Sequence, residues 1–393
     1  MEKRNTMTDC IDFDALTALG LSAAMRQQLA CGLANPKDRT MRLVAVQRDH
    51  LLLHDGHTTH RAQCGSALQR DLQAQDETLA VGDWVLAQPA AGDGCDGGDG
   101  WRITCRLLPQ RQISRRVICN ADGSKGGFKR QALVSNVDAA LLLMGLDADF
   151  NLRRLERYLA LVKLAGVGAV LVLSKADTVP AEVVRQRLTQ ARQVLPAGSS
   201  VLALDVRQPA AAAALTPWLG LGCTVVLLGS SGAGKSSLSN TLLQAFTSNR
   251  SANRRTNAQQ ATGAVRGGDG RGRHTTTVRT LLPLPGGACV IDTPGLRALR
   301  LEVDDADHLA DAFGDVARWA PLCRFRNCQH GQEPGCAVRA AVDAPRLHNY
   351  HKLLREAGRD AQTVQQRQAQ VAQWKARGRD AHLRSCAKRE AGG

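Results

Sequence analysis

The segment Gly229-Ser230-Ser231-Gly232-Ala233-Gly234-Lys235-Ser236-Ser237 constrains the fold more than any other stretch of this chain. It fits the G-x-x-x-x-G-K-[ST] phosphate loop in the context that loop requires. The apolar run CTVVLLG precedes it as a strand, and SSLSNTLLQAF follows as a helix. The glycines let backbone N–H groups close around phosphate at a helix N-terminus, where partial positive charge helps. Lys235 would then reach the β and γ phosphates, and the Ser236 hydroxyl would ligate Mg2+.

Three further segments supply what a phosphate loop alone lacks. Asp292-Thr-Pro-Gly295 follows the strand ACVI. In GTPases an aspartate at such a strand end supports Mg2+ and the glycine N–H contacts the γ phosphate. Between the two, GGDGRGRHTTT at 267–277 has the composition of a switch that orders when a threonine meets Mg2+ and γ phosphate. Spacing leaves Thr275, Thr276 and Thr277 as equal candidates. Upstream, the buried strand VLVL ends in Ser174-Lys175-Ala176-Asp177. The Asp177 carboxylate can accept from guanine N1–H and N2–H2, donors that adenine does not offer, and an acceptor left unpaired rejects ATP. The stem of Lys175 would cover the base face. Ser174 heads this box where GTPases usually carry Asn.

The base-reading box precedes the phosphate loop, the reverse of the ordinary GTPase order. A circular permutation resolves this, because a site needs proximity in space and domain termini often lie close enough to be rejoined.

The remaining pattern divides the chain. Residues 1–40 are expected to be a short helical, partly disordered leader. Residues 41–118 hold short apolar stretches broken by turn residues, with Asp55-Gly56 as a hairpin turn, and predict a small β-barrel domain. The GDGCDGGDG stretch at 92–100 lacks calcium-loop spacing and is expected to be a flexible hairpin tip. Residues 119–300 alternate strands and helices, which predicts a parallel sheet wrapped by helices. A Cys/His segment at 301–356 and a basic helical tail at 357–393 follow.

Cys323, Cys328, His330 and Cys336 form a C-x4-C-x-H-x5-C set. Three thiolates and one imidazole suit a closed tetrahedral Zn2+ that holds the fold and performs no chemistry. Most of the other cysteines are scattered singly among apolar residues, as expected of reduced thiols in a cytoplasmic protein. No apolar run reaches the length of a membrane span, and no membrane partner is expected. The net charge of +15 is concentrated in residues 102–130, 248–279 and 345–393, so the rest of the chain is net acidic. Basic surfaces of this kind favour a polyanion such as nucleic acid.

GDWV at 82–85, NVD at 136–138, SKAD, GSSGAGKSS, GRHTTT, DTPG, the Cys/His set with EPGCAV, and NYHKLLRE at 349–356 together resemble one family over roughly residues 41–356. It is the small ribosomal subunit biogenesis GTPases, also called RsgA or YjeQ. The resemblance implies an N-terminal OB-fold, a circularly permuted P-loop GTPase domain and a small zinc domain. It also implies late maturation of the small ribosomal subunit, with contacts to its rRNA. A monomer binding GTP and GDP is expected. Departures from the family pattern are Ser174, the Gly/Asp-rich insertion and the long basic tail.

Leu296 follows Gly295 where many GTPases place a water-orienting Gln. His274, beside the switch threonines, is the nearest substitute, and the resemblance also suggests a catalytic role for it. The protein is expected to hydrolyse GTP slowly alone and faster on the subunit. Two other classes compete with this expectation. One is a non-catalytic RNA-binding zinc protein that only senses GTP; the other is a P-loop ATPase or kinase in which SKAD is accidental.

Overall fold

A computed structural model describes residues 12–30, 38–90, 100–119, 127–196, 198–248, 278–294, 309 and 313–356. Two compact units divide the chain: residues 1–115 with 130–299, and residues 116–129 with 300–393.

In the first unit the turn-punctuated stretches become β1 (Arg39–Val46), β2 (Leu51–His54), β3 (Thr59–Cys64), β4 (Trp84–Pro89) and β5 (Trp101–Arg106). They pair in the order β1-β2-β3-β5-β4, and β4 returns to β1. That closes a five-stranded OB-like barrel, which removes the free edges that small sheets must otherwise protect. The helix α3 (Ser66–Ala74) carries the chain from β3 to β4, and Met41, Leu43, Leu53, Val85 and Ile103 fill the interior. Within the expected leader, α1 (Phe13–Ala18) is capped by Asp12 and α2 (Ala23–Gln28) by Ser22. Together the two helices and their link bury Leu16, Leu19, Leu21 and Met25.

The parallel sheet forms where the alternating pattern predicts it. Its strands are β8 (Ala139–Gly145), β9 (Gly168–Ser174), β10 (Ser200–Ala203), β11 (Thr224–Gly229) and β13 (Cys289–Asp292), with β12 (Thr280–Pro283) antiparallel at one side. The order is β10-β9-β8-β11-β13-β12. β8 reads AALLLMG and is buried at every position, as a strand covered on both faces must be. The helix α4 (Leu152–Leu164) is capped by Asn151 and buries Leu155, Leu159 and Val162, which share one face at helical spacing. α5 (Ala181–Val194), α6 (Pro209–Leu215) and α7 (Lys235–Ser248) complete the crossovers.

Barrel and parallel sheet share one hydrogen-bonded ladder, because β1 also pairs with β12 through Ala45 and Thr280. The fully buried Arg42 of β1 reinforces this join. Its guanidinium donates to the carbonyls of Leu19, Gly82 and Asn136 and to the Thr224 hydroxyl. A buried cation is tolerated only when its donors are met in this way. The boundary expected at residue 118 falls inside β6 (Gln112–Cys119), which forms a separate two-stranded ladder with β7 (Gly127–Ser135).

Over 313–356 of the second unit, helices run at Gly314–Trp319, Ala337–Ala341 and 344–356. Phe313 meets Tyr350 edge-on with ring centroids 5.3 Å apart, and Val316, Val338 and Leu353 are buried. The tail at 357–393 lies outside the described residues, as does all of the 92–100 stretch except Gly100. Among the described residues no helix is long and apolar enough to cross a membrane.

Candidate nucleotide and metal sites

The C-terminal ends of β8, β9, β11 and β13 bring the separated motifs to one sheet edge, where open α/β sheets bind ligands. Gly229 ends β11, and a Cβ there would stand 2.4 Å from the Leu143 carbonyl, so only glycine lets the loop leave the sheet. Gly232 and Gly234 have φ of +82 and +92, a backbone that other residues rarely adopt. Lys235 opens α7 and lies buried over the loop. Its Nζ donates to the carbonyls of Gly229 at 3.0 Å and Ser230 at 2.6 Å. Ser237 follows within the first turn of α7, and its carbonyl accepts from the Thr241 hydroxyl.

Burial pushes the Lys235 ammonium down to about 8, against the fields of Asp292 and Asp149. Burial also pushes the Asp292 carboxyl up, against Lys235, Ser236 and Thr293. Ser236 Oγ donates to Asp292 Oδ2 at 3.1 Å, while the buried Asp292 Oδ1 has no hydrogen-bond partner among the described residues. A hydroxyl beside a buried carboxylate with a spare oxygen fits Mg2+, and a phosphate beside Lys235 would relieve the other buried charge.

The Ser174-Lys175-Ala176-Asp177 segment is tied to this loop directly. Ser174 ends β9 with no exposed surface, and its Oγ donates to the Ala233 carbonyl at 2.7 Å. Lys175 takes a left-handed φ of +60, and its Nζ donates to Asp147 Oδ2 at 2.6 Å. The Ala176 N–H donates to the Leu204 carbonyl, which holds the box against the end of β10. Asp177 follows in a short 3-10 turn, exposed, with Oδ2 2.7 Å from Arg207 Nη2.

Sequence reasoning missed four polar residues here. Asp149, in the turn after β8, accepts from Ser230 Oγ at 2.6 and 2.7 Å and from the Gly145 N–H at 3.0 Å. Asp147 pairs with Lys175, and Asp205 and Arg207 sit beside Asp177. Asp147 and Asp149 follow a buried parallel strand, and that position was the available signal. Gly295, His274, Thr275, Thr276, Thr277 and Leu296 lie outside the described residues.

In the second unit the ligand atoms of Cys323, Cys328, His330 and Cys336 lie within 4.8 Å of one another. Cys323 Sγ is 3.9 Å from Cys336 Sγ, and both sulfurs are 3.6 Å from His330 Nδ1. Tetrahedral Zn2+ with bonds of about 2.3 Å to sulfur and 2.0 Å to nitrogen requires S···S near ~3.8 Å and S···N near ~3.5 Å. The residues fit such an ion. Cys336 also caps the helix Ala337–Ala341, and its sulfur accepts from the Arg339 N–H at 3.3 Å. Desolvation and the neighbouring Cys336 and Cys323 push the Cys328 thiol up to about 11, a penalty that a cation would reverse.

Comparison with known proteins agrees with this geometry. The family model for the RsgA GTPase matches residues 114–302. The small ribosomal subunit biogenesis GTPase RsgA of Xanthomonas oryzae pv. oryzae (strain PXO99A) is 40% identical over 352 residues, covering 88% of both chains. That of Xylella fastidiosa (strain 9a5c) is 43% identical over 300 residues, 74% of this chain and 77% of its own. The crystal structure of YjeQ from Thermotoga maritima superimposes with a TM-score of 0.55 at 20% identity, covering 81% of this chain and 98% of that one. YloQ, described as a circularly permuted GTPase, gives 0.52 at 20% identity, covering 82% and 95%. With that identity spanning nearly the whole chain, and with the phosphate loop and base box joined in permuted order, the chain belongs to the RsgA family of circularly permuted GTPases and is a GTP hydrolase.

Proposed function

We propose that this GTPase binds the small ribosomal subunit through its rRNA in the cytoplasm, as a monomer, and hydrolyses GTP during the subunit's late maturation. The observation that supports the nucleotide reading is the Ser174–Ala233 bond, which joins the Ser174–Asp177 segment to the 229–237 loop. The names of the relatives and the concentrated positive charge support the ribosomal partner.

Residues 229–237 grip the phosphates through backbone N–H groups, and Lys235 draws charge from the β and γ oxygens. Ser236 and Asp292 hold Mg2+, which when bound neutralises charge developing on the phosphates. Asp177 reads the guanine edge, Lys175 covers the base, and Ser174 and Ala176 fasten the box. The Gly295 N–H meets the γ phosphate, and His274 orients the attacking water in place of the missing Gln. His274 sits in a glycine-flanked basic segment, and contact of that segment with the bound subunit would hold it at the site and accelerate turnover. Cys323, Cys328, His330 and Cys336 hold one structural Zn2+ per chain.

GTP turnover with and without purified small subunits tests this function, using Lys235→Ala as the control. Stimulation by subunits and loss of turnover in the variant are expected. Turnover that ignores subunits would remove the ribosomal assignment, and phosphate release that survives in Lys235→Ala would remove this site from catalysis.

A further inference from the structure

Beyond β10 the chain turns through Asp205 and Arg207 into α6, and this turn faces the base-reading carboxylate. The Arg207 guanidinium bridges two acids: Nη2 lies 2.7 Å from Asp177 Oδ2, and Nε lies 3.0 Å from Asp205 Oδ1. The Arg207 backbone N–H also donates to Asp205 Oδ1 at 3.1 Å. Asp205 is thus held from within its own turn, and its side chain is 15% exposed against 64% for Arg207. The hydrogen bond from Arg207 holds the Asp205 carboxyl below its ordinary range. One end of the bridge is therefore anchored at Asp205, and the other reaches across solvent to Asp177.

Resting on the assignment of Asp177 to guanine, we propose that Arg207 is a latch on the base site, competing with the guanine edge for the Asp177 carboxylate. A guanidinium and the guanine N1–H/N2–H2 edge are the same kind of donor, two parallel N–H groups matched to a carboxylate. Both engage one small acceptor, and Oδ2 is already in contact with Arg207. Guanine must displace the latch before it gains both Asp177 oxygens. The pair is exposed, so displacement is easy, and the latch lowers affinity by no more than about fivefold. Because it acts on the base, it weakens GDP and GTP alike and leaves the choice between them to the phosphate end. Because it lies in solvent, salt screens it, with a Debye length of about 8 Å at physiological ionic strength.

The test is a titration of full-length protein with fluorescent GDP and with a non-hydrolysable GTP analogue. Wild type, Arg207→Ala and Arg207→Gln are compared at low and high ionic strength. The expected result is binding about threefold to fivefold tighter in both variants, equal for the two nucleotides, with the gain appearing as faster association and shrinking in salt. In an Asp177→Asn background, probed with xanthosine diphosphate, Arg207→Ala should give no gain. Unchanged or weaker GDP binding in Arg207→Ala overturns the latch; weaker binding would mean that Arg207 holds Asp177 in position for the base. If Asp177→Asn alone leaves GDP affinity intact, guanine reading by Asp177 fails, and the latch falls with it.

Discussion

The Ser174 hydroxyl and the Ala233 carbonyl lie 2.7 Å apart, joining the Ser174–Asp177 segment to the 229–237 loop by one buried bond. Asn is the usual head of this box, yet the shorter Ser makes the tie. Its position at the end of β9 already brings it against the loop: an ideal Cβ on Gly234 would lie 3.7 Å from Ser174 Cβ. Ser174→Ala strips the donor from a buried carbonyl. A loss of about 1 kcal/mol, or roughly fivefold in GDP affinity, is expected. Titration checks it, and an affinity within about twofold of wild type would show that the tie does not hold the site.

Asp177→Asn replaces an acceptor-only group with an amide whose NH2 faces a guanine donor. GTP should bind more weakly and xanthosine triphosphate relatively better, since xanthine offers an acceptor where guanine has a donor. Competition between the two nucleotides measures the switch, and undiminished GTP binding would rule out the role of Asp177.

The Lys235 ammonium, ordinarily near 10.5, is pushed down to about 8 by burial. Phosphate binding needs its charged form, so affinity for GTP should fall as pH rises through about 8. Binding should take up a proton, because phosphate raises the lysine again. For folding without nucleotide the sign is opposite. Between about 8 and 10.5 the unfolded chain holds a proton that the folded chain has lost, so this group adds stability as pH rises. Calorimetry in buffers of different ionisation enthalpy reads the proton uptake, and its absence near pH 8 would refute the shift.

Stripping zinc with a chelator, or making Cys328→Ser, should unfold the segment after residue 300 at lower temperature and leave GDP affinity within about twofold. Closed tetrahedral sites contribute to folding rather than to chemistry. Melting monitored beside a nucleotide titration separates the two effects. Freshly purified protein without stoichiometric zinc would sink the assignment.

His274→Ala should lower subunit-stimulated turnover by roughly 10²-fold or more, the scale of a positioned acid–base side chain, with GTP affinity near wild type. Single-turnover hydrolysis on saturating subunits decides. Preserved turnover removes His274 from catalysis, and a joint loss of turnover and subunit binding makes it an RNA contact.

What could be read in advance depended on whether the chemistry was contiguous. Gly229 to Ser237 and Cys323 to Cys336 each place their groups within one short span, so spacing alone identified them. Asp149 and Arg207 are single charged residues in turns, far from Lys235 and Asp177 in sequence; the place of Asp149 after a buried strand was a local signal, but it named no partner. Only the pairing of β8 with β11 and of β9 with β10 brings them to the site. The β1–β12 join was illegible for a related reason. It rests on the one pair Ala45 and Thr280, and alternation within a strand does not name its partner.

The permuted order also changes the sequence in which the sheet is born. β8 and β9 leave the ribosome together and can pair at once, from Ala139 with Gly168 to Gly145 with Ser174. The other edge of β8 waits for β11, where Ala139 finds Val225. At about 5–20 residues per second that wait is on the order of ten seconds. Throughout it the AALLLMG strand presents one edge of unpaired backbone N–H and C=O groups flanked by apolar side chains, the kind that recruits other chains. A nascent chain of this protein should therefore be most prone to aggregation, and most dependent on chaperones, after Ser174 has emerged and before Gly229 has.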